Sequence, residues 1–186
     1  MAETGLKVST HFELLGLPVK FAIDAGRLEQ NYLERSRLLH PDFHQQNSSS
    51  EQQASTSISA RLNDAYNILK SPTRRADYLL QILGGPGANE VGDMPKAFLN
   101  EMLDLRMEIE EIRENSKSAD SANLEKMEGK LIGRNNHLIE ELHHLFSKLE
   151  NAEPTDPGNK GILVNIRQNL NSARYIQGLL RDLRAD

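Results

Sequence analysis

Phe98, Met102, Leu105, Ile109 and Ile112 return at steps of 4, 3, 4 and 3, the spacing of an apolar seam on a helix packed against neighbours. Leu131, Leu138, Leu142, Leu145 and Leu149 form a second such seam. Ile162, Ile166, Ala173, Ile176, Leu180 and Leu183 form a third. Almost no stretch of the chain alternates with period two, so an all-α fold is expected. Residues 115–123 and 151–159, the latter with Pro154 and Pro157, supply the turns. Three long helices joined in this way predict an antiparallel three-helix bundle over residues 95–186.

The first half of the chain uses shorter elements. Phe12, Leu14, Leu15 and Leu17 make an apolar turn that Pro18 ends. Residues 24–39 read as a helix, with Asp24 as N-cap and Leu28, Tyr32 and Leu39 on one face. Pro41 removes a backbone donor and disfavours helix at His40, so the helix stops there. A second pattern starts near Ser50, with Ile58, Leu62, Ala65, Tyr66 and Leu69 inward, after a loop rich in Gln and Ser. His40-Pro41-Asp42 is thereby held at the tip of a helical hairpin, facing water. Ser71-Pro72 then caps a further helix with Pro at its first position, and Ala76, Leu79, Leu80 and Leu83 on its apolar side. Gly84-Gly85-Pro86-Gly87 breaks the chain. A phosphate loop would need a preceding strand and a Gly-Lys-Ser/Thr ending, so residues 84–94 read as a linker between units at 10–83 and 95–186.

Composition bounds the partners. There is no Cys, which excludes disulfides, thiolate zinc sites and cysteine-ligated clusters on this chain. No apolar run approaches the ~18 residues of a membrane span. The first ten residues lack a secretory pattern, so a cytoplasmic protein without membrane contact is expected. Residues 1–83 carry 9 Lys and Arg against 9 Asp and Glu, whereas residues 84–186 carry 13 against 18. Neither half is a basic nucleic-acid surface, and the asymmetry suggests two units with different partners.

Several side-chain groups could carry function. His40 and Asp42 lack a neighbouring nucleophile, an oxyanion donor and a pocket, so polar docking on another protein suits them better than catalysis. No enzyme activity and no cofactor are expected. Arg27, Arg35 and Arg37 precede that loop, either as a solvated face or as a strip steering an acidic partner. Arg35 stands where the stripe calls for an apolar residue, with its stem over the core and its guanidinium expected in water. His137, Glu141 and His144 share a helical face but lack the His-Glu-x-x-His arrangement and a fourth ligand, so a solvated face is expected there, His143 included. Leu99 and Leu103 lie beside the seam, flanked by Asn100, Asp104 and Met107. Periodicity leaves two readings open: a broad core face, or an exposed apolar patch with a charged rim that binds protein.

His40-Pro41-Asp42 followed by Phe43, at the tip of a helix pair, is similar to the signature of J-domain co-chaperones. The run from Leu62 to Pro72 (LNDAYNILKSP), the run from Arg75 to Leu80 (RADYLL), and Phe98-Leu99 through Leu103-Asp104-Leu105-Arg106 resemble the HscB family devoted to iron–sulfur cluster assembly. That resemblance implies an N-terminal J-domain that engages an HscA/DnaK-type ATPase chaperone through His40, Pro41 and Asp42, with Arg37 as a further contact. It implies a C-terminal bundle that binds an IscU-type scaffold protein through Leu99, Asn100, Leu103, Asp104, Arg106, Met107 and Tyr175, with Leu99 and Leu103 in an exposed patch. The chain departs from the family pattern at Met107, where Glu is usual, and at Asn100, where a larger apolar residue is common. It has no Cys-x-x-Cys pair before the J-domain, which agrees with a bacterial-type protein. The alternative reading is a general J-protein that recruits unfolded clients through the apolar bundle face.

Overall fold

The computed structural model of the chain describes residues 9–38, 49–91, 94–115 and 121–184. Among them all regular structure is helical: α1 (His11–Leu14), α2 (Ala25–Leu38), α3 (Ser49–Lys70), α4 (Pro72–Ile82), α5 (Lys96–Asn115), α6 (Ser121–Asn151) and α7 (Gly158–Arg184). The chain divides into two compact units, and the division falls between Leu79 and Leu80, inside α4. None of the described helices is long and apolar enough to cross a membrane.

In the first unit, α1 has only four residues, so its ends decide whether it forms. Thr10 Oγ1 accepts from the Glu13 amide at 3.2 Å, and the Glu13 carboxylate accepts from the Thr10 amide at 2.8 Å, a reciprocal capping box. At the other end Gly16 takes a φ of +64°. This lets the Gly16 and Leu17 amides donate back to the carbonyls of Glu13 and Phe12, at 3.0 and 2.8 Å. The resulting reversal buries Phe12, Leu15 and Leu17 together. Helix α2 begins where expected, with Asp24 Oδ1 accepting from the Arg27 amide at 3.0 Å.

Arg35 is exposed as expected, and it also has a specific partner. Its guanidinium is exposed, yet it donates to the carbonyl of Leu14 while Asn31 Nδ2 donates to that of Leu15 at 2.7 Å. Both residues satisfy the open carbonyl end of α1. A polar residue in the α2 stripe therefore does a job that an apolar one could not. On α3, Leu62, Ala65, Tyr66 and Leu69 are buried as the spacing predicts, whereas Ile58 is exposed. The rings of Tyr32 and Tyr66 stack with centroids 4.1 Å apart, and Tyr66 donates its hydroxyl proton to Glu29, so aromatic and polar contacts together join α2 to α3. Leu39 lies outside the described residues.

Pro72 opens α4 as expected, and the amide of Arg75 donates to Ser71 O at 2.8 Å. Arg75 itself is buried, its guanidinium 5.0 Å from the centre of the Phe21 ring, and Nη1 donates to Leu69 O at 2.7 Å, near the end of α3. Ala76, Leu79 and Leu80 are buried, but Leu83 is exposed. The glycine cluster ends α4 by the device that ends α1. Gly84 has a φ of +70°, and the amides of Gly84 and Gly85 donate to the carbonyls of Gln81 and Leu80. A Cβ at Gly85 would lie 2.2 Å from Leu80 Cδ1, so this position has no room for a side chain.

In the second unit the segment after Gly85 is tied to α7. Arg167, buried at 1% exposure, donates from Nε to Pro86 O at 2.8 Å, and Asn171 Nδ2 donates to Val91 O at 2.7 Å. The bundle core joins Phe98, Met102 and Ile109 of α5 to Met127, Leu131 and Leu138 of α6 and to Ala173, Ile176 and Leu179 of α7. Ion pairs between the helices show their register. Glu101 meets Arg134 at 3.3 Å and Glu108 meets Lys130 at 3.1 Å, so α5 and α6 run in opposite directions. Glu128, early in α6, meets Arg184 at the end of α7. Leu105, Leu145, Leu149, Ile162, Leu180 and Leu183 are only partly buried, and the Ile112 side chain lies outside the described residues. Met127, Phe146, Leu170 and Leu179 are buried although no seam read from the sequence contained them.

Candidate partner-docking surfaces

Helix α5 carries two apolar faces. Its inner face buries Phe98 and Met102, while Leu99, Leu103 and Met107 lie on its outer side at 41%, 56% and 61% exposure. Spaced at i, i+4 and i+8, they form one stripe along the helix. Asn100, Asp104 and Arg106 are exposed around it, so polar groups rim an apolar strip. That combination is what a protein-binding surface needs: apolar area to exclude water, and a rim that orients the partner. Of the two readings left open by periodicity, the structure supports the exposed patch, because α6 and α7 both lie against the other side of the helix.

Tyr175 joins this surface from α7. Its ring is half-buried and meets Phe98 edge-on, with centroids 6.4 Å apart and planes at 78°. Arg106 Nε donates to Glu110 Oε1 at 3.3 Å, and its guanidinium also stands beside Tyr175. Those contacts, Glu110 first, hold the Arg106 guanidinium in its protonated form above its ordinary range. The seven residues from Leu99 to Tyr175 thus belong to one connected surface of the second unit.

Of the loop residues, His40, Pro41, Asp42 and Phe43 lie outside the described residues. Arg37 is exposed in the last turn of α2, and Arg27 is exposed near its start. The α6 imidazoles border a cleft of about 510 Å³ between α6 and α7, whose walls include His137, Glu141, His144, Asn165 and Asn169. His137 Nε2 lies 3.4 Å from Glu141 Oε1. Among the described residues no group of three or more His, Asp or Glu side chains is placed to hold a metal ion. Sequence reasoning missed the pairing of Glu101 with Arg134, on the side of α5 that faces α6. A Glu and an Arg on two different helices give no local signal of pairing.

Comparison with known proteins accounts for both units. Residues 10–78 match the family model described as the DnaJ domain, and residues 94–184 match that of the HSCB C-terminal oligomerisation domain. The chain is 42% identical over 123 residues to the co-chaperone protein HscB of Proteus mirabilis, which covers 63% of this chain and 71% of the relative. In fold it is similar to the chaperone HscB from Vibrio cholerae, with a TM-score of 0.77 at 24% identity, covering 95% of this chain and 96% of that one. It is also similar to the human co-chaperone protein HscB, with a TM-score of 0.78 at 21% identity, covering 97% and 83%. A J-domain, an HSCB C-terminal domain and this degree of identity together place the chain in the HscB family, the J-domain co-chaperones of iron–sulfur cluster assembly.

Proposed function

We propose that this protein is an adaptor that performs no chemistry itself. Its J-domain, residues 10–83, docks on an HscA/DnaK-type ATPase through His40, Pro41 and Asp42, with Arg37 as a further contact, and accelerates ATP hydrolysis there. Residues 84–94 connect it to the bundle, residues 95–186, which holds an IscU-type scaffold on Leu99, Asn100, Leu103, Asp104, Arg106, Met107 and Tyr175. Bringing both to one place delivers the scaffold to the chaperone for cluster maturation in the cytoplasm. The observation that carries this reading is the exposed Leu99–Leu103–Met107 stripe on the unit that matches the HSCB C-terminal domain, in the same chain as a DnaJ domain. A stripe with two leucine anchors and a polar rim suits one fixed partner.

Two variants test the two halves separately. His40→Gln is expected to abolish ATPase stimulation in single-turnover assays while leaving scaffold affinity intact, and normal stimulation by this variant would remove the loop assignment. Leu99→Ala combined with Leu103→Ala is expected to weaken scaffold binding by about 2–4 kcal/mol in calorimetry, the range of hot-spot truncations. The same pair should leave folding stability within about 0.5 kcal/mol, because both side chains are exposed. A general recruiter of unfolded clients would suppress aggregation of unrelated unfolded proteins, which a dedicated adaptor would not.

A further inference from the structure

Helix α5 presents the docking stripe, yet it is the least firmly packed member of its bundle: α6 and α7 pack on each other far more extensively than α5 packs on either. Its rotation about its own axis decides whether Leu99 and Leu103 face outward, and among the described residues only three of its side chains, Phe98, Met102 and Ile109, are buried in the core. Arg134 of α6 addresses this. Its guanidinium carbon lies 5.7 Å from the centre of the Phe98 ring, and its Nε lies 3.3 Å from Glu101 Oε2. One side chain thus grips two residues three apart on α5, on the turn that carries Leu99. Phe98 is 4% exposed, with Arg134 over its ring and Tyr175 at its edge. On the α7 side, Tyr175 meets the Phe98 ring edge-on at 6.4 Å and stands beside Arg106. The helix is therefore held from both neighbours at the level of the stripe.

We propose that Arg134 is a positioning residue for scaffold docking: by pairing with Glu101 and covering Phe98 it sets the rotation of α5 that presents Leu99 and Leu103. It does not itself belong to the exposed stripe and acts through α5. This inference rests on the docking reading above, and its test separates the two. A partly exposed ion pair and a cation–ring contact together correspond to about a fivefold to tenfold effect. Arg134→Met keeps an unbranched stem against Phe98 and removes the charge.

Hydrogen exchange on the free protein reads the grip directly. Arg134→Met should lower protection of the amides from Leu99 to Leu103 by about fivefold while leaving the middle of α7 unchanged. The charge exchange Glu101→Arg with Arg134→Glu should recover the part of that protection owed to the ion pair, and not the part owed to the cation over Phe98; a merely space-filling Arg134 would allow no recovery. Calorimetry with a purified IscU-type scaffold should then show about fivefold weaker binding for Arg134→Met, partly recovered in the exchanged pair. It should also show a smaller further loss when Arg134→Met is added to Leu99→Ala with Leu103→Ala than when it is made in the wild type. Unchanged protection in Arg134→Met overturns the grip whatever the partner does. Lowered protection with unchanged affinity overturns the positioning role. Equal affinity of wild type and the double alanine variant overturns the docking reading, and with it the role assigned to Arg134 in docking.

Discussion

The first unit ties its helices together with side chains that reach backbone carbonyls, whereas the second joins its three helices over a long apolar seam with ion pairs along its rim. The second uses such anchors only to tie the segment before α5 to α7. In the first, Asn31 and Arg35 satisfy the end of α1, and Arg75 reaches a carbonyl near the end of α3. Helices as short as α1 bury little surface and leave a large share of their backbone groups open, so such anchors decide their placement. In the second, helices of 20, 31 and 27 residues bury Met102, Leu131, Leu142 and Ile176 without remainder. Charged pairs such as Lys130–Glu108 sit outside that core, about half exposed. The difference teaches where each unit has freedom. A unit fixed by specific polar anchors holds short elements in one arrangement. A unit fixed by a deep seam can leave one face of one helix apolar and open without losing its fold.

The contrast can be broken in three ways. Arg75→Met removes the donor from the carbonyl of Leu69 in a buried setting, and should destabilise the first unit by about 1–3 kcal/mol in urea denaturation. A loss below about 0.5 kcal/mol would mean that apolar packing, not polar anchoring, holds α4 to α3. Lys130→Ala in the second unit should cost only about 0.2–1 kcal/mol, and molar salt should erase the difference from wild type. A larger, salt-insensitive loss would show that the rim pairs share the work of the seam.

The smallest effect concerns pH. His11 stacks on Tyr78 with centroids 4.2 Å apart, and burial lowers its pKa below the ordinary 6.5, with Asp64 opposing the shift and Arg61 adding to it. The folded state therefore binds the proton less readily than the unfolded one. The stabilisation is present in full above pH 6.5 and is lost as pH falls from there through the lowered value. His11→Phe, which keeps an aromatic ring on Tyr78, should flatten that part of the stability profile. A profile that keeps its slope would place the titration elsewhere.

Local signals were the most legible. Asp24, Ser71-Pro72 and the glycines after Leu83 mark helix ends, because capping involves only residues a few positions apart. The seams marked which faces are apolar, but not how far along each face a neighbour extends. Ile58 and Leu83 keep the period and are exposed, while Phe146 and Leu170 fall outside the seams read from the sequence and are buried. The exposed α5 stripe was ambiguous for the same reason. Leu99 and Leu103 lie beside the seam, where a third core position and an exposed patch look alike until the neighbouring helices are in place.

The order of the residues by itself determined that this chain is helical, where most of its helices begin and end, and that His40-Pro41-Asp42 falls between two of them. Those properties follow from backbone chemistry and spacing within a few turns. Only the tertiary structure decided which apolar residues meet a neighbour, that Arg35 and Arg75 serve carbonyls of other helices, and that Arg134 reaches Phe98 and Glu101. These contacts join residues far apart in sequence, and no local pattern specifies which side of a helix its partners will occupy. The exposed stripe on α5 is the clearest case: its chemistry is written in the chain, and its exposure is a property of the bundle.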